Sequence, residues 1–563
     1  MDSRIEVHMP GYIIGLEFST LSAKAILVDA EDGKIEAVSM CGYHDAVIDR
    51  TIPGTTKCLP RDTALQDPQN YVDSLEILLR EVWRKTGVQP EEIIAIGVGI
   101  TACTLVTLDE HKRPLCFQKR YRDNPHSWVK LWKHQGAKDE CKRINDVATE
   151  RNESFIHSYG GRSTSEWMFA KIYETLNKAP EIYEAAHRFM EMGDYLVYLL
   201  TGNVVKSSCL AGYKAFWNAE TGYPSKQYFA ALDARLENVV DEKIGNDPIV
   251  PMGTWAGKLC HEWAQRTGLS EDTLVSVAGM DAHLSVPAAG ADCEGSIVMT
   301  IDSSICHLVV DRDKYECPGI CGVVRDGILT GSYGYEAGKV AAGNILDWFV
   351  EELVPYTLVQ RAIDEHISIY SLMDRMAAGI PAGGTGLLAL DWWSGNQSID
   401  FDLDLSGVIL GMTLKTKPEE IYRALMEGIA YGARETIDSM KRSGIKIERY
   451  YATGGLAQKS DVLLQIMADV LGVEVMRTDV AHTAAMGAAI YASVAAGHSR
   501  SVVEAIRKMT RPPQRGFQPN MSHHAVYDKL FAYYLDLCSY FKTEEDMMMH
   551  AVKQIKRDVS ANL

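Results

Sequence analysis

The sequence predicts an α/β protein of two large domains with a cleft between them, and three observations carry that expectation. The chain has 563 residues, too many for a single hydrophobic core. Short β-like runs alternate with amphipathic helical stretches along most of its length. One pattern occurs twice, at residues 13–29 and 297–311: an apolar run, a Ser/Thr-rich break, then a second apolar run ending in aspartate. Each copy reads as a β-hairpin that opens a domain, with its turn facing the other copy.

The elements follow from local pattern. Residues 12–17 and 23–29 are apolar runs on either side of Phe18-Ser19-Thr20. Glu31-Asp32-Gly33-Lys34 is a turn, and residues 35–40 supply a third strand. Apolar residues at i, i+3 and i+4 predict a helix over 71–86, closed by Gly87. A buried strand over 93–100 follows, then a loop region over 114–132 rich in aromatic and basic side chains. Helices are expected near 165–176 and 194–200, and a strand at 274–278 completes the first half. The second half repeats this grammar. Strands over 296–301 and 305–310 flank Asp302-Ser303-Ser304, followed by a strand over 322–329, a helix over 340–353 and a strand over 387–390. A long helix is expected over 418–442, a strand over 449–453 ending in Gly454-Gly455, and a helix over 460–471. A strand over 473–476 and a small-residue helix over 484–497 come last. No low-complexity linker separates the halves, so the domains are expected to be 1–282 and 283–563 with a short hinge.

Composition removes several classes of function. The formal net charge of −18 leaves no basic surplus to neutralise phosphates, which argues against a nucleic-acid or anionic-membrane partner. The first ten residues lack an apolar signal region, and no stretch reaches the ~18 uninterrupted apolar residues of a membrane span. Twelve cysteines are scattered without C-x-x-C pairs, and Cys317 and Cys321 read as ordinary thiols. A cytoplasmic enzyme is the expectation.

Asp281 stands just past a strand end, after Gly279. Strand C-termini face the crevice of an α/β domain and fix the side chain that follows, which suits a general base; on position alone, a turn or cap role is the alternative. Gly97-Val98-Gly99-Ile100-Thr101-Ala102 imitates a G-x-G-x-x-A dinucleotide fingerprint. That fingerprint needs a helix to open here, whereas residues 104–108 remain β-like and the following loop is basic, so the NAD reading is set aside.

A longer series of blocks runs through the chain: T-A-C-T at 101–104, D-N-P-H-S-W-V-K-L-W-K-H at 123–134, S-C-L-A-G-Y-K-A at 208–215 and D-A-H at 281–283. S-I-C-H at 304–307, G-Y-E-A-G at 334–338, L-D-W-W-S-G-N at 390–396 and A-T-G-G-L-A-Q-K-S at 452–460 complete it. In these blocks, in this order and over nearly the whole chain, the sequence resembles the FGGY family of carbohydrate kinases, and within it the ketopentose kinases. The resemblance implies two ribonuclease-H-like, actin-type ATPase domains and the use of ATP with Mg²⁺. It implies phosphorylation of a ketopentose such as L-ribulose at its terminal hydroxyl, with Asp281 as the base. Ala102, Lys214 and Glu336 would hold the sugar, the last two as a fixed donor and a fixed acceptor for a polyol. Trp128 either lays its indole on the sugar or is a core tryptophan. Glu17, Ser19 and Thr20 would form the first phosphate hairpin, with Glu17 meeting Mg²⁺, and Ser303 and Ser304 the second. Gly343 and Asn344, at a helix start, would approach phosphates. Gly454 and Gly455, with Gln458 nearby, would admit adenosine by close backbone approach. The two-lobed design implies closure over substrate. Oligomeric state is left open, a homodimer being one option.

The chain departs from the family at the hairpins. The first is D-x-G-T in the family and Glu17-Phe18-Ser19-Thr20 here; the second is G-T-S and here Asp302-Ser303-Ser304. A carboxylate beside a phosphate repels it or recruits a metal. Three readings stay open on sequence: a ketopentose kinase, a family kinase with another polyol substrate or phosphate donor, or a degenerate sugar-binding pseudokinase.

Overall fold

The computed structural model describes residues 11–402, 404–478, 480–513, 515–542 and 548–561. Two seven-stranded mixed sheets dominate it. In the first, β1 (Tyr12–Phe18), β2 (Ser22–Asp29) and β3 (Ile35–Gly42) run antiparallel in sequence order. β4 (Ile93–Ile100) joins β1 in parallel, β5 (Trp255–Lys258) forms the far edge, and β6 (Leu274–Ser276) lies between them. A short strand, β7 (Gly279–Met280), also pairs with β4.

The second sheet repeats that topology. β8 (Ser296–Ile301) pairs antiparallel with β9 (Ile305–Asp311). Beyond β9 lie β10 (Gly322–Arg325), at the edge, and β11 (Tyr333–Lys339), which pairs with both. On the other side of β8 come β12 (Arg449–Thr453) and β13 (Val475–Arg477) in parallel, and β14 (Arg515–Phe517) at the far edge. In both sheets the opening strand pairs antiparallel with its hairpin partner and parallel with a strand far along the chain. The duplication read from residues 13–29 and 297–311 is therefore structural.

Burial explains the strand patterns. β1 and β8 are central and covered on both faces, so they read as continuous apolar runs. β3 alternates between half-buried and exposed residues, as an edge with one solvated face does. The helices that matter for the site are α1 (Met168–Lys178), α2 (Ser208–Lys214), α3 (Asp281–Ala288), α4 (Gly343–Glu352), α5 (Pro418–Arg442), α6 (Gly455–Lys459), α7 (Asp461–Leu471) and α8 (Thr483–Ala495).

Two local differences from the sequence reading have simple causes. The helix expected over 71–86 is Pro68–Glu81, because Asp67 accepts the Gln69 amide as N-cap and Pro68 takes the first helical position. The strand expected over 322–329 stops at Arg325, because Asp326 turns the chain at φ +57°.

Helix α8 follows β13 of the second sheet but buries Ala485, Ala488, Ala489 and Ala492 in the core of the first. It lies at backbone contact distance. A Cβ on Gly15 would sit 2.0 Å from the Ala485 carbonyl oxygen, and one on Gly97 2.0 Å from that of Ala488. Gly97, part of the apparent dinucleotide fingerprint, is thus a helix–sheet packing glycine. Replacing it with alanine should cost about 2 kcal/mol through forced displacement of α8, measured by denaturant unfolding. Gly42→Ala, where nothing lies within 4 Å, should stay within about 0.5 kcal/mol of the parent.

Candidate active site

Strand β7 pairs Gly279 with Gly99 and Met280 with Ile100, so Asp281 and the turn that begins at Thr101 leave neighbouring strand ends together. Asp281 opens α3, and its Oδ1 accepts the Ala282 amide at 2.7 Å. The half-buried carboxyl is pushed up to about 7, chiefly by burial. The Ala282 amide opposes this, and the negative charges of Glu17, Asp302 and Glu336 reinforce it. Next to it, the Thr101 and Thr104 hydroxyls hydrogen-bond at 2.9 Å across a turn that contains Ala102, and Cys103 in that turn adopts φ +50°.

Lys214 ends α2 in the first domain, and Glu336 lies in the middle of β11 in the second. The Lys214 Nζ donates to both Glu336 carboxylate oxygens, at 2.8 and 2.7 Å, so the pair spans the two domains. The Trp167 ring lies 5.4 Å from the ammonium. Burial alone would push the ammonium down, but Glu336 outweighs it and holds Lys214 above the ordinary lysine value. Burial likewise would raise the Glu336 carboxyl, and Lys214 with His283 brings it below the usual range. His283 Nε2 is 3.7 Å from Glu336, and burial lowers the imidazole to about 4, so the ring is neutral at pH 7.

The two hairpin turns are both engaged locally. Ser19 Oγ donates to Glu17 Oε1 at 2.8 Å, and Lys24 Nζ lies 3.1 Å from the same oxygen. Thr20 Oγ1 accepts the Trp132 indole N–H at 3.0 Å. In the second hairpin the Asp302 amide donates to Ser304 O at 2.9 Å. The Ala342 and Asn344 amides donate to Ser303 O at 2.9 and 3.3 Å, and the Gly343 amide donates to Asp302 O at 3.0 Å. A Cβ on Gly343 would meet that oxygen at 2.4 Å, so glycine is required there. The Asp302 side chain accepts the Gly455 amide at 2.5 Å. Burial is the main reason its carboxyl is raised, the Gly455 amide opposes, and Glu17 adds to it. Gly454 has φ +96°, and a Cβ there would lie 2.5 Å from Ile301 O. Beside this junction is a cavity of about 650 Å³ lined by Ser303, Gly343, Tyr370, Asp374, Gly455 and Lys459 among others.

The structure thus brings Asp281 into one electrostatic neighbourhood with Glu17 and Asp302 of the two hairpins and with Glu336, the partner of Lys214, while Gly343 and Gly455 line the adjoining cavity. Two expected residues are corrected. Trp128 is only 2% exposed, packs with Ile48, Ile52, Leu65 and Cys116, and donates its indole N–H to Arg122 O at 2.8 Å; it is a core tryptophan. Gln458 does not line the cavity, and its amide donates to Thr478 O at 2.5 Å. Asn344 Oδ1 accepts the Ala342 amide at 3.0 Å and so braces the start of α4. Sequence reasoning missed Lys24 and Trp167, which carry no motif; their signal was adjacency to Glu17 across the hairpin and to the helix start before Lys171.

An α/β pair of facing domains, with a raised carboxyl between two polar hairpins, defines a phosphotransferase-like cleft. Residues 12–286 match the N-terminal domain of the FGGY family of carbohydrate kinases, and residues 297–496 match its C-terminal domain. The chain belongs to that family. It is 43% identical over 554 residues to a protein named Ribulokinase from Geobacillus thermodenitrificans, covering 98% of each chain. It is 37% identical to a Ribulokinase from Mycolicibacterium smegmatis, covering 96% of this chain and 95% of the relative. Among solved structures, a gluconate kinase from Lactobacillus acidophilus superposes with a TM-score of 0.78 at 20% identity, covering 95% of this chain and 99% of that one. A glycerol kinase from Plasmodium falciparum with ADP gives 0.73 at 17% identity, covering 94% and 98%. The fold is therefore the two-domain, actin-like ATPase architecture of these kinases.

The raised Asp281 carboxyl has a stability signature. The unfolded carboxyl titrates near ~4 and the folded one near 7, so its contribution is fully present below pH ~4 and lost as pH rises through 7. Asp281→Asn lacks that loss. The melting-temperature gap in favour of Asn should open between pH ~4 and ~7 and then stay level. An Asn variant no more stable than the parent at about pH 8 would contradict this reading.

Proposed function

We propose that the protein phosphorylates ribulose, a ketopentose, at its terminal hydroxyl with ATP, giving ribulose 5-phosphate and ADP. The observation that carries this reading is the likeness to proteins named Ribulokinase along nearly the whole chain. The site chemistry supports it. A base that titrates near 7 accepts a hydroxyl proton without being fully neutralised at working pH. In this reading the sugar oxygen attacks the terminal phosphorus in line, the bond to the bridging oxygen breaks, and the hydroxyl proton passes to Asp281. Lys214 donates to, and Glu336 accepts from, hydroxyls of the sugar, and the Ala102 turn forms the adjoining wall. Their mutual ion pair keeps both charged before the sugar arrives.

The nucleotide is assigned to the second domain. Adenosine is assigned to the cavity that Gly455 lines, and the start of α4 at Gly343 supports the phosphate site indirectly, its amides holding the Asp302 and Ser303 carbonyls of the second hairpin in place. Ser19 and Thr20 from one hairpin and Ser303 and Ser304 from the other would flank the phosphates. Glu17 would hold Mg²⁺. Glu17, Asp281 and Asp302 share one electrostatic neighbourhood, which suits a divalent cation. No cluster of three metal-ligating side chains occurs among the described residues, so water and phosphate oxygens would complete its shell. When bound, Mg²⁺ supplies charge neutralisation on the phosphates. A cytoplasmic setting, where ATP is present, follows from this reading. The degenerate, non-catalytic alternative is not favoured, given the likeness to proteins named Ribulokinase along nearly the whole chain.

A coupled assay with ATP, Mg²⁺ and L-ribulose tests the proposal; absence of turnover on ribulose would overturn it. Asp281→Asn should lower kcat by about 10²–10⁴-fold, and kcat/KM should rise as pH increases through about 7, where the base loses its proton. Asp302→Gly removes the acceptor of the Gly455 amide, so ATP affinity should fall several-fold in calorimetry; tighter binding would mean that the carboxylate repels phosphate instead.

A further inference from the structure

We infer that Lys171 is a positioning residue for the sugar, acting through the Ala102–Cys103 turn; the inference rests on the proposal that this turn lines the sugar site. Lys171 lies one turn into α1 and is 0% exposed. Its ammonium donates to Cys103 O at 2.6 Å and to Leu131 O at 2.9 Å. Among the described residues no carboxylate lies within ion-pairing distance of it, so a buried cation is held by two main-chain carbonyls. Burying a charge in that way is costly unless it fixes something.

What it fixes is a turn that needs fixing. Cys103 has φ +50°, a backbone region that a residue with a Cβ rarely adopts. Its neighbour Ala102 lies in the turn that leaves β4 after Ile100, the residue that pairs with Met280 next to Asp281. The same helix start serves the other side of the pocket. Trp167, one turn before Lys171, lies under the Lys214 ammonium at 5.4 Å, and the Lys171 amide donates to Trp167 O at 3.2 Å. The far side of α1 is locked in turn: Lys130 Nζ donates to Lys171 O at 3.0 Å and to Glu174 at 2.7 Å. One rigid helix start therefore sets both the Ala102–Cys103 turn and the Lys214 ammonium. Lys171 touches neither substrate nor reacting atoms; it holds the carbonyl that keeps the turn in its strained form.

The test is steady-state kinetics on the full chain with ribulose and ATP. Lys171→Met should raise the sugar KM at least tenfold, lower kcat less than threefold and leave the ATP KM within twofold. Adding Cys103→Gly, which adopts positive φ without strain, should recover part of the sugar KM in the Lys171→Met background. A merely structural lysine would give no such recovery. If Lys171→Met does not fold, Lys171→Gln carries the test, since one short neutral donor cannot span both carbonyls; its sugar KM should rise at least fivefold. An unchanged sugar KM in a folded variant, or equal losses for sugar and ATP, overturns the inference. Ala102→Val separates the two layers. If it raises the sugar KM while Lys171→Met does not, the inference alone fails. If it leaves the sugar KM unmoved, the assignment of the turn to the sugar site fails.

Discussion

The contact on which the rest of the molecule depends is the close seating of helix α8 on β1 and β4. Carbonyls of Ala485 and Ala488 occupy the space that side chains at Gly15 and Gly97 would need, and the Leu284 carbonyl does the same opposite Gly487. A helix that leaves the second sheet thereby becomes part of the first core, and it packs on α3, the helix that Asp281 opens. Protein interiors are dense, so displacement of α8 is transmitted rather than absorbed. The two hairpins, Asp281 and the Lys214–Glu336 pair all take their relative places from that seat.

Within that frame, two carboxylates, half-buried Asp281 and buried Glu336, are driven in opposite directions by their neighbours. Burial pushes both Asp281 and Glu336 upward. Asp281 has one backbone amide for compensation and like charges nearby, so its carboxyl stays raised to about 7. Glu336 has the Lys214 ammonium at 2.7 Å, and its carboxyl ends below the usual range. Environment alone therefore separates a group suited to taking a proton from one suited to remaining an acceptor. His283 stays neutral beside them, which leaves the Lys214 charge as the one that Glu336 answers.

Much of this was legible in the residues. The hairpins, the helix Pro418–Arg442 and the strand Arg449–Thr453 follow from apolar periodicity and from glycine and proline punctuation, and they stand where that pattern put them. Asp281 was legible as a carboxylate just past a strand end, where position alone also allowed a turn or cap, and the surrounding family blocks singled it out as the base. Other features were hidden for physical reasons. The strand Tyr333–Lys339 carries Glu336 between Gly334 and Gly338, which erase the alternation a strand normally displays. Lys171 carried no signal within its helical stretch, because sequence does not reveal which helix face meets a carbonyl. Trp128 could be placed by neither period nor motif, since a core indole and a stacking indole have the same neighbours in sequence. The return of α8 to the first sheet is a long-range choice made by small residues that any helix could hold.

The two hairpin departures become coherent when taken together. At the first, Ser19 stands where the family pattern has glycine, and its hydroxyl donates to Glu17, which Lys24 also holds. At the second, Asp302 stands in place of glycine, and its carboxylate receives the Gly455 amide. In each case the added polar side chain has a hydrogen-bond partner within the protein, although Asp302 is exposed and also lines the cavity. A glycine in either place would leave the turn freer; the substituted residues tie it to its own sheet or to the neighbouring glycine turn. The second tie also joins the hairpin to the cavity wall at Gly455. The departures therefore tie each hairpin to a neighbouring group, and they leave the Glu17 and Asp302 carboxylates close enough to Asp281 to help raise it.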